Sequence, residues 1–413
     1  MKSSNYKCRF CDSPLKHSFL DLGMSPLANS YLDAQQADGK ELFFPLHAYV
    51  CNNCLLVQLP AHRSSEDIFS DYAYFSSYSD SWLKHAKAYT DQMVEMYGFH
   101  ADSQVVEIAS NDGYLLQYFV EKGIPALGIE PAGNVAEAAI KAGIPTLINF
   151  FGEKTALELA EEGKNADLLI GNNVLAHVPD LNDFVKGMKI LLKPTGIITM
   201  EFPHLMRLME ESQFDTIYHE HFSYFSFISV NRVFKKHGLK IFDVEELPTH
   251  GGSLRIHASH IENQARSTGR RAEELLQREC NAEYDRLDHY LTFAAKVNET
   301  NRQILSFLVD QKGQGKSLVG YGAPAKGNTL LNYCGIRTDF IDYTVDRSPH
   351  KQNHFLPGTH IPIYHPNKIK ETRPDYVVIL PWNLKDEIIE QMAFIREWGG
   401  QFVTFIPEVK TYS

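Results

Sequence analysis

From Gln104 to residue 202 the chain alternates short apolar runs with longer amphipathic ones, and this alternation constrains the fold more than any other feature. Strands are predicted at 104–109, 126–130, 166–171 and 195–202, with helices at about 114–122, 132–142, 152–162 and 181–193 between them. Strands separated by helices of this length pair in parallel through right-handed crossovers, which makes a doubly wound α/β sheet. Two further runs, 239–247 and 254–260, read as antiparallel strands added to it. After Gly313 and Gly315 the alternation returns, with strands predicted at about 317–321, 339–345, 374–381 and 401–406, a second and smaller α/β domain. Between the two, residues 265–311 are rich in Glu, Arg and Leu and hold no Pro or Gly from Arg270 to Gln311. That pattern predicts one or two long amphipathic helices with a solvated charged face. The first 75 residues are rich in turn formers and short apolar pieces. The expected division is 1–75, 76–264 and 265–413.

A chain of 413 residues, 44% hydrophobic and 22% charged, is long enough for each part to bury its own core. Its formal charge of −11 lacks the basic field that draws proteins to nucleic acid or anionic membranes. No apolar run approaches the length of a membrane span, and the first residues do not resemble a signal peptide. The expectation is a cytoplasmic monomer that engages neither nucleic acid nor membrane.

Four of the six cysteines form two Cys-x-x-Cys pairs, Cys8/Cys11 and Cys51/Cys54, on turn-rich flanks. Each pair sets two thiolates on one tight turn, and two such turns complete a tetrahedral zinc shell with no position left for catalysis, hence a structural zinc. Unrelated thiol pairs or disulfides are the alternative. Cys280 and Cys334 read as packing residues.

The first strand of the doubly wound sheet runs into Glu107-Ile-Ala-Ser-Asn-Asp-Gly113, a small-residue turn before a helix near Tyr114. Such a turn lets a ligand approach the backbone at the carboxyl edge of the sheet. There is no Gly-x-Gly-x-x-Gly, so the pyrophosphate cradle is absent. The second strand ends in Glu130-Pro131, an acid placed to accept hydrogen bonds from ribose hydroxyls. An adenosyl ligand without phosphates fits, with S-adenosylmethionine the candidate. The expected cofactor wall is Glu107, Ala109, Ser110, Asn111, Gly113, Tyr114, Glu130, Pro131, Asn172 and Asn173. An ordinary buried turn is the competing reading.

Tyr218-His-Glu-His-Phe222 concentrates four ionisable side chains in an aromatic stretch. Histidine suits proton transfer near neutral pH. The pair His219/His221 stands at i, i+2, unlike the helical His-Glu-x-x-His of catalytic zinc. Acid–base work, metal binding and buried structural polarity all remain open from these residues alone. His177, at the end of a central strand, and the aromatic cluster from Asp71 to Tyr78 each carry a functional and a packing reading.

Eight segments in this order resemble the S-adenosylmethionine-dependent C-methyltransferases of nucleotide-linked deoxysugars, the 3-C-methyltransferases of branched-sugar biosynthesis. They are the two Cys-x-x-Cys pairs, Pro26-Leu-Ala-Asn29, Tyr72-Ala-Tyr-Phe-Ser-Ser-Tyr78, Glu107 to Gly113, Asn173-Val-Leu-Ala-His177, Tyr218 to Phe222, His250-Gly-Gly-Ser-Leu-Arg255 and Gly320-Tyr-Gly-Ala-Pro-Ala-Lys-Gly327. The resemblance implies a small N-terminal zinc-binding module, a central Rossmann-like S-adenosylmethionine methyltransferase domain and a C-terminal Rossmann-like α/β domain. It implies His221 as general base, with Tyr72, His177, Tyr218 and Glu220 lining the acceptor site. Asn29, Arg255, Tyr321, Lys326 and Asn328 are the expected substrate contacts, for a nucleotide-diphosphate 4-keto-6-deoxyhexose. Backbone N–H groups at the helix start after Gly320–Gly327, with Lys326, suit a diphosphate. The alternatives are O- or N-methylation of a sugar or small molecule, and a zinc scaffold that retains only the cofactor fold.

Overall fold

The computed structural model describes residues 6–61 and 75–413. Three sheets organise them. The largest has seven strands: β4 (Val105–Ile108), β5 (Ala126–Ile129), β6 (Thr146–Leu147), β7 (Ala166–Asn172), β8 (Leu192–Pro203), β10 (Leu239–Leu247) and β11 (Ser253–His260). Their spatial order is β10-β11-β8-β7-β4-β5-β6. The five strands from β4 to β8 pair in parallel, and β11 inserts antiparallel between β8 and β10. The order reverses at β4, so a crevice opens between the carboxyl ends of β4 and β7. Every residue of β4 and β5 is buried, as strands covered on both faces require.

The small sheet is antiparallel: β1 (His17–Ser25), β2 (Phe44–Val50), β3 (Val57–Gln58) and β9 (Ser223–Tyr224), in that order. Its fourth strand directly follows Tyr218–Phe222, so the cysteine-bearing module and the ionisable cluster share one sheet. A division of the chain at residue 75 does not anticipate this pairing. The third sheet, β14-β13-β12-β15-β16-β17, is parallel except at its last strand. Its strands are β12 (Leu318–Tyr321), β13 (Thr344–Val345), β14 (Ile363–Tyr364), β15 (Tyr376–Ile379), β16 (Gln401–Thr404) and β17 (Lys410–Tyr412). The strand predicted at 339–345 shortens to two residues, because a turn at Arg337 takes the amides of Phe340 and Ile341.

The connecting segment forms helices Arg270–Asn281, Leu287–Leu291 and Phe293–Gly313. The break follows Glu283, at φ 64°, and is filled by Tyr284 and Tyr290, whose hydroxyls bond to Met206 O and Tyr284 O. Its charges are not all solvated, as the sequence reading expected. Glu279 is fully buried and accepts from the amides of Phe227 and Ile228, satisfying the open N-terminus of helix Phe227–Lys236, and it also pairs with His204 at 2.7 Å. Among the described residues no helix is long and apolar enough to cross a membrane.

Candidate active site and zinc centre

The two Cys-x-x-Cys turns have the same backbone. Asp12 N–H bonds to Cys8 O and Leu55 N–H to Cys51 O, and both Asp12 (φ 62°) and Leu55 (φ 63°) are left-handed. Left-handed leucine is costly, and it is held here because it closes the turn that aims both thiols one way. The four sulfurs lie within 4.8 Å of one another, with Cys8–Cys54 and Cys11–Cys51 at 3.5 Å. Zinc–sulfur bonds of about 2.3 Å give a tetrahedron with edges of about 3.8 Å, so the set fits the metal. The Gln58 amide donates to Cys8 Sγ at 3.2 Å, a support for a thiolate ligand. No other group of three His, Cys, Asp or Glu among the described residues could hold a metal, which leaves His219/His221 without a third ligand.

At the carboxyl end of β4 the turn carries three left-handed residues, Ala109 (φ 56°), Asn111 (φ 51°) and Gly113 (φ 78°), and Asn173 after β7 is a fourth (φ 54°). Strain of this kind persists where surroundings enforce it, commonly at ligand sites. Beside it, both oxygens of Glu107, Ser110 Oγ and both amide atoms of Asn172 are buried without a well-formed hydrogen bond, the Tyr114 hydroxyl being the polar group that Glu107 and Asn172 share. Burial pushes the Glu107 carboxyl well above the usual range, and the nearby Tyr114 hydroxyl does not reverse this. Buried polar groups left unmatched are expensive, so their concentration on one crevice marks a place shaped for polar ligand atoms. Glu130, at the end of β5, accepts from Asn111 N–H and Ala132 N–H, both at 2.9 Å, and retains lone pairs for further donors. These groups suit the amino acid and ribose portions of S-adenosylmethionine. Glu130→Ala should weaken its binding by about 10- to 100-fold, the usual cost of losing charged hydrogen bonds. Calorimetry would read this directly, and unchanged affinity would count against the ribose assignment.

Tyr218, Glu220 and His221 converge with His177 and Asn29. His221 Nδ1 lies 2.9 Å from Thr216 O and so carries the proton, which makes Nε2 the basic nitrogen; Nε2 accepts from Tyr218 Oη–H at 2.8 Å. Burial and the neighbouring His177, His250 and Lys326 hold His221 well below the ordinary histidine range, so it is neutral at pH 7. The His177 ring packs edge-on at 4.7 Å from that of His221, and burial pulls it down to about 4. Asn29 Nδ2 donates to Glu220 Oε1 at 2.7 Å, and burial raises the Glu220 carboxyl. His219 turns the other way, toward Pro45 O and the Phe44 ring. Tyr72 lies outside the described residues.

The expected substrate contacts separate. Lys326 faces the histidine cluster: its Nζ donates to Asn383 Oδ1 at 2.6 Å and lies 4.6 Å from the Trp382 ring centre. Burial lowers it to about 8, against the pull of Asp215. Asn328 is buried on helix Ala325–Cys334, with its Oδ1 accepting from Asn332 and its Nδ2 unpartnered. Tyr321 points instead into the core of the third sheet, packed with Tyr343 and Val345. Arg255 is likewise withdrawn: it is buried between Glu201 (3.0 Å) and Glu245 (3.8 Å) and over the Tyr89 ring. The strand register sets Arg255 opposite these two acids, and the alternation of a strand turns Tyr321 toward the sheet's own core, so neither lies with Lys326 beside Trp382 and Asn383.

Several groups at the site went unpredicted. His250 (φ 55°) accepts from the Asn173 amide at 3.2 Å, and Trp82 packs against His250, His85 and Tyr114. Asp215 accepts from Trp382 Nε1 at 2.7 Å, and burial raises it to about 6. The strained His-Gly-Gly at 250–252 was a usable signal for His250; Trp82, on a helix face, had none.

A family model described as a zinc binding domain matches residues 8–69, one described as a methyltransferase domain matches 82–244, and a C-methyltransferase C-terminal domain matches 248–407. The chain is 34% identical over 98% of its length to the C-methyltransferase NovU of Streptomyces niveus, and covers 97% of that protein. A ubiquinone biosynthesis O-methyltransferase of Bartonella tribocorum is 29% identical over 23% of this chain and 39% of that enzyme. Among solved structures, the magnesium protoporphyrin IX methyltransferase of Synechocystis with bound SAH has a TM-score of 0.34 at 13% identity, covering 43% of this chain and 83% of that one.

Proposed function

Because the chain belongs to the C-methyltransferase family, dependent on S-adenosylmethionine and built with a zinc-binding module, we propose that its acceptor is a nucleotide-diphosphate 4-keto-6-deoxyhexose methylated at carbon 3. The observation that carries this reading is the tautomer of His221. Its Nδ1–H is committed to Thr216 O, which leaves Nε2 as a neutral buried base facing Tyr218. Burial keeps Nε2 unprotonated and so able to accept a proton, and a ketone at carbon 4 acidifies the hydrogen on carbon 3.

When bound, S-adenosylmethionine supplies an electrophilic methyl group. The protein's part is to make carbon 3 nucleophilic and hold it. His221 Nε2 takes the carbon 3 proton, with Thr216 O steadying the imidazolium that results. Negative charge that develops on the carbonyl oxygen is met by a hydroxyl or ring N–H, from Tyr218 or His177. Glu220, oriented by Asn29, holds a sugar hydroxyl. Lys326, Asn383 and the helix start at Ala325 face the diphosphate.

Incubation with a panel of 4-keto nucleotide sugars and the methyl donor, read by mass, tests the substrate class. A gain of one methyl is expected with these and with no sugar lacking the ketone. The Lys326 ammonium, lowered to about 8, adds a pH prediction. A lysine is charged below its pKa, so the attraction for a diphosphate is present at pH 7 and fades above about pH 8. KM for the sugar should rise between pH 8 and 9 while the affinity for S-adenosylmethionine stays level. In Lys326→Met that rise should vanish, and its persistence would move the diphosphate elsewhere.

A further inference from the structure

The zinc turn sends the Arg9 side chain between two loops of the methyltransferase domain. Arg9, next to Cys8, donates from Nη1 to Pro179 O at 2.8 Å and from Nη2 to Leu59 O, and its guanidinium lies 5.3 Å from the centre of the Phe222 ring. Pro179 is two residues from His177, and Phe222 is the neighbour of His221. The two loops are joined by Phe222 N–H to Ala176 O at 2.7 Å, and Leu59 N–H reaches Phe222 O at 3.0 Å. Arg9 itself is fixed from the metal side, since Gln58 accepts its backbone N–H at 2.9 Å while donating to Cys8 Sγ. Asn182 adds two bonds, to Arg9 O and Phe10 O.

We infer that Arg9 is a positioning residue for proton transfer, through which the zinc centre sets the spacing of the His177 and His221 loops. The inference rests on the reading of His221 as the base. A planar guanidinium suits this place because its fork meets two carbonyls while its face covers an aromatic ring. Besides this clamp, the His221 loop meets the N-terminal module through the two-residue strand β3, which pairs with β9, and through the Asn29–Glu220 bond, but Arg9 alone among these spans from the cysteine turn to both loops. Displacement of a reacting group by about 1 Å can cost about a hundredfold in rate, so loosening this clamp should appear in turnover rather than in cofactor affinity.

The test compares Arg9→Met and Arg9→Lys with the wild-type holoprotein. Arg9→Met removes both donors while filling the space, and should keep its zinc and bind S-adenosylmethionine within about twofold of wild type. Its kcat should fall by about 10- to 100-fold with a smaller change in KM for the sugar, and Arg9→Lys should recover part of that loss. Nitrogen-15 histidine NMR without any sugar should show displaced His177 and His221 ring resonances in Arg9→Met. Wild-type kcat with undisturbed histidine resonances would overturn the inference. So would loss of zinc and melting in both variants, because Arg9 would then be a residue of the fold alone. If the wild type turns over no keto sugar, the substrate reading fails, while the NMR comparison still decides the role of Arg9.

Discussion

His221→Asn should fold, bind S-adenosylmethionine and the nucleotide sugar nearly as the wild type does, and lose turnover by about a hundred- to ten-thousandfold, the usual range for a missing general base. Asparagine places an amide where Nδ1 stood and can still donate to Thr216 O, while the basic nitrogen, one bond further out toward Tyr218, is gone. The proton step can be isolated by following solvent deuterium exchange at carbon 3 with the reaction stalled by S-adenosylhomocysteine. The wild type should exchange and the variant should not. Equal exchange in both would remove His221 from the role and pass it to His177 or Tyr218. The acid limb offers a second check. Because burial lowers the pKa of His221, the neutral form persists below the ordinary histidine value, and kcat/KM should hold as pH falls through 6.5.

Loss of the metal should be at least as damaging, but to the fold. Cys8→Ser leaves three thiolates around a site whose binding energy in small zinc modules is about 10–16 kcal/mol, as large as the whole stability of a typical domain. The consequence spreads because β3 pairs with β9, and because the four cysteines pack into the same core as Phe202, Phe225 and Phe227 of the central domain. The variant should show zinc below one equivalent, a broad early melt and a protease-sensitive N-terminal module. A well-folded variant with full metal content would overturn the structural role of the zinc.

The repeat of strand and helix was legible from Gln104 onward because parallel strands buried on both faces need continuous apolar runs, and helices between them need a different period. The same reasoning failed where an element is short or its partner is remote. β9 has two residues, and nothing in Ser223-Tyr224 announces that it completes the sheet begun at His17. Arg255 shows the limit for single side chains. Its neighbours across the sheet are Glu245 on one side and Glu201 on the other, a row that exists only once the register is known. With both acids opposite, its charge is spent inside the sheet. Tyr321 sits beside Gly320 and Gly322 in a segment that faces the site, yet the two-residue alternation of a strand turns its ring to the opposite face. Cysteine spacing fared better because the ligand geometry is local to each turn. The Tyr218–Phe222 cluster was legible as chemistry, but the residues alone left His219 and His221 equivalent; the resemblance named His221, and the structure distinguishes the two by turning one ring to Thr216 O and the other to Pro45 O.

The methyl acceptor proposed for this enzyme is a carbon, carbon 3 of a 4-keto sugar. This assignment is tested most directly by turnover with S-adenosylmethionine labelled with carbon-13 in its methyl group, followed by NMR of the isolated nucleotide sugar. The expected product carries a labelled methyl at the high-field position of a carbon-bound group, coupled to carbon 3, with the carbon 3 hydrogen replaced. A labelled signal at the position of an O- or N-methyl group would contradict the assignment.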